Sequence, residues 1–250
     1  MIKLKTEEEI ARIRESCQLL ARTHVKLAEL VSEGISTLEL DSFARDYIIQ
    51  HGGKPAFLNY MGYPASLCTS VNDVVIHGIP DKTKLKNGDI ISLDLGINLN
   101  GFFSDAARTI IVGDVPAEVR KLVDITRECL YAGIDQARAG NRIHDVSRAV
   151  YEHAKKYGFG VVRDYCGHGV GFSQHEDPQI PNYISRGANP RIKPGMVLAI
   201  EPMINMGTGN VKLLDDDWTV KTLDGKLSAH WEHTVAVFRD RTEILTDSVY

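Results

Sequence analysis

The chain has 250 residues, 43% of them hydrophobic, enough to bury a full core as one domain or as two joined halves. Its 29 basic and 33 acidic side chains leave a formal net charge of -4, with the basic ones scattered, so no dedicated, sequence-specific nucleic-acid surface is expected. No apolar run approaches the roughly 18 residues of a membrane span, and Met1-Ile2-Lys3-Leu4-Lys5 lacks the apolar core of a secretion signal, so a cytoplasmic protein is expected.

Thr6-Glu7-Glu8-Glu9 forms a capping box, and the stripe Ile10, Ile13, Cys17, Leu20, His24, Leu27 and Val31 predicts a long helix ending near Gly34. Ser36 to Glu39 repeats the box, with Leu40, Phe43, Tyr47 and Ile48 behind it and Gly52-Gly53 as the stop. Strands are expected at 66–71 and 74–76, then a hairpin of 89–99 with 102–112 around Asn100-Gly101. Pro116 opens a third helix carrying Val119, Leu122, Ile125 and Cys129, a good place for a first-turn proline. Asn141 is expected to cap a fourth, with Ile143, Val146, Val150, Ala154 and Tyr157 on one side and Gly158 as its stop. Strands near 160–167, 196–204, 211–214 and 230–238 complete the chain. Two helices followed by antiparallel strands thus occur twice. The expected class is α+β: a single domain of two related halves, approximately 1–114 and 115–250, about an approximate twofold, with a shared sheet and helices covering one face.

One phrase is written twice. Lys86-Asn87-Gly88-Asp89-Ile90-Ile91-Ser92-Leu93-Asp94 recurs as Lys193-Pro194-Gly195-Met196-Val197-Leu198-Ala199-Ile200-Glu201, each copy a turn and an apolar run that delivers an acid. A carboxylate at the end of a core strand is costly to bury unless a cation or many donors compensate it. In the first hairpin, a two-residue turn at Asn100-Gly101 sets Ala107 opposite Asp94 and Asp105 opposite Gly96, so the two aspartates are diagonal neighbours on one face. Two like charges so placed repel, and a divalent ion reverses that sign. Gly96 leaves room opposite Asp105 for something other than a side chain. Glu201, Glu232 at the head of a Val-Ala-Val run, and His168 between Gly167 and Gly169 complete a candidate ligand set. Four carboxylates and one imidazole suit two divalent ions of manganese, iron, cobalt or zinc, about 3.5 Å apart, and no thiolate in the set argues for structural zinc.

His77, before Gly78-Ile79-Pro80, and His175, just past the glycine-rich stretch, are placed for a cleft lip, where an imidazole can serve an oxyanion or a leaving amine. His230 and His233 flank Glu232, and alternation is expected to send both to the opposite face. The four cysteines, at 17, 68, 129 and 166, show no paired spacing and read as reduced thiols.

In order along the chain, His77-Gly78-Ile79-Pro80, Asp94 with Asp105, Tyr165-Cys166-Gly167-His168-Gly169, Glu201-Pro202-Met203 and Glu232-His233-Thr234 resemble the site of the type I, bacterial-type methionine aminopeptidases. The wider resemblance is to the duplicated pita-bread fold shared with prolidases, a curved antiparallel sheet with helices on its outer face. It implies that Asp105 and Glu232 bridge two metals, that His168 and Glu201 complete one and Asp94 the other, and that an activated hydroxide attacks the scissile carbonyl. It further implies His175 at the oxyanion, His77 at the scissile amide nitrogen and Glu201 as proton shuttle. The substrate is then the N-terminal methionine of nascent proteins whose second residue is small. Tyr60, Tyr63, Cys68 and Trp218 match the methionine pocket. Gln174 stands where an aromatic residue is common, which puts the pocket wall in question, with Phe172 near enough to fill the gap. The family pattern adds a structural monovalent cation near Asn72, Val74 and Ser228 and a monomeric state, and action on nascent chains implies transient ribosome association. An X-Pro-cleaving, prolidase-like enzyme is the nearest alternative; it normally carries an extra N-terminal domain. A non-catalytic peptide- or RNA-binding relative would be expected to lose ligands.

Overall fold

The computed structural model describes residues 1–247. Helix α1 (Glu7–Leu30) and helix α2 (Thr37–Gln50) begin on the two boxes: the side chains of Thr6 and Ser36 accept from the backbone of Glu9 and Glu39, and each glutamate accepts from the cap N–H in return. These bonds satisfy donors that every helix start leaves open. The stripe of α1 from Ile10 to Leu27 is buried, and the helix lies along the hairpin of Ile90–Leu99 and Phe102–Ile111. Helix α3 (Ala117–Gln136) and helix α4 (Ile143–Lys156) pack on each other and cover the second half in the same way.

Two helix starts differ from expectation. Pro116 stands one position earlier, as the cap of α3. Asn141 does not cap α4: its amide donates to the Gln136 carbonyl at 2.9 Å. Arg142 is the cap instead, because its extended backbone bridges to Arg191, and its N–H donates to the Asp145 carboxylate.

The hairpin has the expected register, with Asp94 opposite Ala107 and Gly96 opposite Asp105, and Cys68–Val71 and Lys54–Pro55 extend its sheet. A five-stranded antiparallel sheet in the second half runs Thr242–Ile244, His233–Val237, Val197–Ile200, Gly167–Gly169, Glu176–Ile180. Met203–Asn205 pairs with Ser228–His230 and Gly160–Val161, and Val220–Thr222 joins Val211–Leu213 to Val74–Ile76 of the first half. The expected runs 160–167, 196–204 and 230–238 are therefore each broken in two. The breaks at Glu201-Pro202 and Trp231-Glu232 free an acid from its ladder, and Pro202 has no N–H to continue one. Among the described residues the shared sheet accordingly divides into four smaller sheets.

A seam between the halves holds these ladders together. The Glu232 N–H donates to the Ala107 carbonyl at 2.9 Å. On one side of it Thr109 Oγ1 donates to the His230 carbonyl at 2.8 Å and accepts its N–H at 2.9 Å. On the other, Thr234 Oγ1 donates to the Asp105 carbonyl at 2.7 Å and accepts its N–H at 3.2 Å. Each half contributes one threonine whose hydroxyl replaces a missing ladder bond of the other.

His24 of α1 ties that helix to the seam strand, its Nε2–H donating to the Ala106 carbonyl at 2.9 Å. Burial pulls its pKa from 6.5 down to about 3. The unfolded chain thus takes up this proton near pH 6.5 and the folded chain only near 3, so the contribution is whole above pH 6.5 and is lost as pH falls through that window. Denaturant titrations between pH 7 and pH 4 are expected to show a decline of up to about 1.4 kcal/mol per pH unit from this residue. His24→Gln, which keeps a donor, removes that share of the slope; an unaltered slope contradicts the assignment.

Candidate metal centre

The hairpin places Asp94 and Asp105 on one face, and the two ladder breaks present Glu201 and Glu232 from the other half. His168 lies midway along Gly167–Gly169, with its backbone paired to Ala199. A Cβ at Gly167 would collide with the Ala199 carbonyl and one at Gly169 with the Asp177 carbonyl, so glycine on both sides lets the neighbouring strands close around the imidazole. The carbonyl of Gly169 accepts from His168 Nδ1–H at 2.9 Å. Nε2 is left facing the acids, 3.6 Å from Asp105 Oδ2 and 3.6 Å from Glu201 Oε1.

Ligand atoms of His168, Glu201 and Glu232 lie within 4.8 Å of one another, as do those of Asp94, Asp105 and Glu232. Two adjoining sets thus share Glu232. One oxygen each of Asp94, Asp105 and Glu232 is buried and accepts no hydrogen bond. Burial, and then the charge of Asp105, pushes the carboxyls of Asp94 and Glu232 well above the usual range. Burial opposes protonation of His168, but the nearby carboxylates of Asp105 and Glu201 outweigh that and raise its pKa. Hard oxygen donors without hydrogen-bond partners, beside an aimed imidazole nitrogen, fit divalent cations.

A cleft of about 220 Å³ opens above these ligands. Tyr60, Tyr63, Cys68 and Trp218 line it, with His77 and His175. His77 has a left-handed backbone (φ 58°), its ring edge-on to Tyr165 and Trp218, and burial lowers its pKa to about 4. His175 stands exposed at the mouth, its Nδ1 2.9 Å from the Tyr60 hydroxyl and its ring centroid 4.3 Å from that of His168. Although the residue is open to solvent, desolvation by the atoms packed around its ring, then the charge of His168, lowers its pKa.

Three placements depart from expectation. Gln174 is not on the cleft wall: it is buried with its amide on Asp105. Phe57, unremarked in the sequence because nothing around it marks a site, is on that wall, whereas Phe172 is not. His230 does not face away from the acids: its Nε2 is 3.5 Å from Glu201 Oε2, because the strand ends at that residue and alternation does not carry across the break. His233 does turn away, its Nδ1 2.8 Å from the Thr246 hydroxyl. The four cysteines are unpaired. Among the described residues no helix is long and apolar enough to cross a membrane.

The model of metallopeptidase family M24 matches residues 11–238. A methionine aminopeptidase of Clostridium perfringens is 51% identical, the match covering 98% of this chain and 99% of the relative. One of Treponema pallidum is 52% identical over 99% of this chain and 97% of its own. The crystal structure of the Rickettsia prowazekii methionine aminopeptidase superposes with a TM-score of 0.96 at 40% identity, covering 99% of this chain and all of that one.

The chain belongs to metallopeptidase family M24. Its α+β halves, each with two helices outside antiparallel ladders, are the pita-bread arrangement of that family. As an M24 metallopeptidase it uses divalent metal, and the donor set described above fits that use. Because burial and the charge of Asp105 favour the protonated carboxyls of Asp94 and Glu232, metal loading competes with protons there. Calorimetric titration of manganese at pH 6 in buffers of differing ionisation enthalpy is expected to show net proton release and weaker affinity than at pH 8. Proton-neutral binding with equal affinity at both values contradicts it.

Proposed function

We propose that the chain removes the N-terminal methionine from nascent proteins and peptides whose second residue is small. The observation that carries this reading is the convergence of five ligand side chains from both halves at the floor of a cleft walled by aromatic rings and a thiol. The names of the relatives above agree with it. Two divalent ions, drawn from manganese, iron, cobalt and zinc, supply Lewis acidity for the scissile carbonyl and lower the pKa of water when bound. Asp105 and Glu232 would serve both positions, with His168 and Glu201 completing one and Asp94 the other.

The remaining steps fall to protein groups. Glu201, beside the cleft, takes the proton from the attacking water and delivers it to the departing amine. The Tyr60 hydroxyl donates to His175 Nδ1, which leaves Nε2–H to donate to the oxyanion of the tetrahedral intermediate. His77, held neutral by burial, meets the scissile amide nitrogen. Tyr63, Cys68 and Trp218, with Tyr60, face the thioether, for which aromatic edges and a soft thiol are good partners.

The same reading makes the protein a cytoplasmic monomer that meets its substrates at the ribosome. A structural monovalent cation near Asn72, Val74 and Ser228 belongs to it as well; the Asn72 carbonyl there also accepts the Ser228 N–H at 2.9 Å.

Two measurements test the proposal. With manganese or cobalt present, Met-Gly-Met-Met is expected to lose its first residue while Gly-Pro and Ala-Pro peptides survive; cleavage confined to X-Pro bonds reverses the substrate assignment. His175→Ala is expected to lower kcat about 100- to 1,000-fold, the usual cost of one oxyanion donor, with metal stoichiometry intact. Full turnover in that variant removes His175 from the oxyanion.

A further inference from the structure

Gln174 is a polar residue of this site that the proposed reaction does not use. It precedes His175 on a loop that is tightly held: Glu176 accepts from the backbone N–H of Phe172 and Ser173 at 2.7 and 3.0 Å, and its other oxygen takes the buried Lys5 ammonium at 2.6 Å. From that loop the Gln174 side chain runs inward, 1% exposed, and its Nε2 donates to Asp105 Oδ2 at 2.5 Å. The orientation of the amide follows from chemistry: an ionised carboxylate only accepts, so the edge turned to it is the NH2.

Gly96 explains how the amide reaches this place. It is the residue opposite Asp105 in the hairpin, and a Cβ there would lie 2.7 Å from both amide heteroatoms of Gln174 and 2.9 Å from the ring of Phe57. The space cleared by that glycine is thus filled from two sides, by an amide on the metal side and an aromatic ring on the substrate side. Phe57 packs with Tyr63, Ala65 and Cys68 and lines the cleft, whereas Gln174 does not. With Oδ2 held by the amide, Asp105 Oδ1 accepts nothing and is left to the centre.

We infer that Gln174 is a positioning residue of the dinuclear centre, its amide fixing the Asp105 carboxylate, and that Phe57 is the wall that meets the substrate side chain in its place. The inference rests on the metal-dependent reading given above and divides the work of this corner between two residues. A residue that orients a ligand acts on metal affinity and ligand field; one that lines the pocket acts on substrate affinity.

The test compares Gln174→Met, which keeps length and volume without a donor, with Phe57→Leu. Cobalt is titrated into each metal-free protein by calorimetry, the visible spectrum of the cobalt form is recorded, and kcat and KM are measured on a methionyl tripeptide at saturating metal. Gln174→Met is expected to weaken cobalt binding about 10- to 100-fold and to alter the visible bands, with KM within twofold of the parent. Phe57→Leu is expected to raise KM severalfold with cobalt affinity and spectrum unchanged. Unchanged affinity and spectrum in Gln174→Met overturn the positioning role, and a raised KM alongside them returns that residue to the pocket wall. Gln174→Leu carries the same readings should the methionine variant fail to fold. If the parent protein neither binds cobalt nor cleaves the tripeptide, it is the proposed function that fails, a result separable from either variant's.

Discussion

Four carboxylates and an imidazole are held together in a largely dry place, and nearly every other feature of the molecule answers to that constraint. Left without a cation, the arrangement works against itself: burial and like charge raise the carboxyl pKa values of Asp94 and Glu232, and buried oxygens go without donors. Each such oxygen forfeits hydration of order 1–3 kcal/mol that no protein hydrogen bond returns. A fold can keep such a cluster only if the surrounding backbone is too well tied to open and let water in. The cluster is therefore less a source of stability than a load that the rest of the protein carries.

The seam carries most of it. Its central bond runs from Glu232 itself, and its two threonine hydroxyls clasp the backbones of Asp105 and His230. The backbones of Asp105 and Glu232 are thus pinned across the seam, which restricts where their side chains point. The glycines beside His168 act in the same sense by admitting neighbouring strands at backbone distance. Rigid strands rather than loops supply most of the ligands, which suits a centre whose geometry has to be ready before substrate arrives.

The cleft follows a different rule. Its wall is assembled from short segments around 57–68, 165 and 218, drawn from both halves, and its lip from His77 and His175. Met61, nearby, is exposed and has a left-handed backbone (φ 50°). Apart from Cys68, which pairs with Asp94 in a ladder, contacts here are aromatic edges and side-chain hydrogen bonds, such as Tyr60 to His175. Metal-holding and side-chain recognition thus fall largely to different residues.

What the amino-acid order determined by itself was whatever depends on near neighbours. The capping boxes at Thr6 and Ser36, the register of the Asn100-Gly101 hairpin, the shared face of Asp94 and Asp105, and the pair of glycines around His168 all rest on contacts within one element or one turn. That Asp94, Asp105, His168, Glu201 and Glu232 form one cluster was legible too, because acids at the ends of apolar runs contradict their surroundings unless something compensates them. Only the tertiary structure decided how the second half breaks at Glu201 and Glu232, which way His230 turns, what caps α4, and where Gln174 goes. Those outcomes depend on bonds between positions far apart in the chain: Thr234 to Asp105 spans 129 residues, Thr109 to His230 spans 121, and Gln174 to Asp105 spans 69. Alternation along a strand says nothing about where a strand must stop to meet another half of the molecule, and no local pattern records that a glycine on one strand leaves space for an amide arriving from a distant loop.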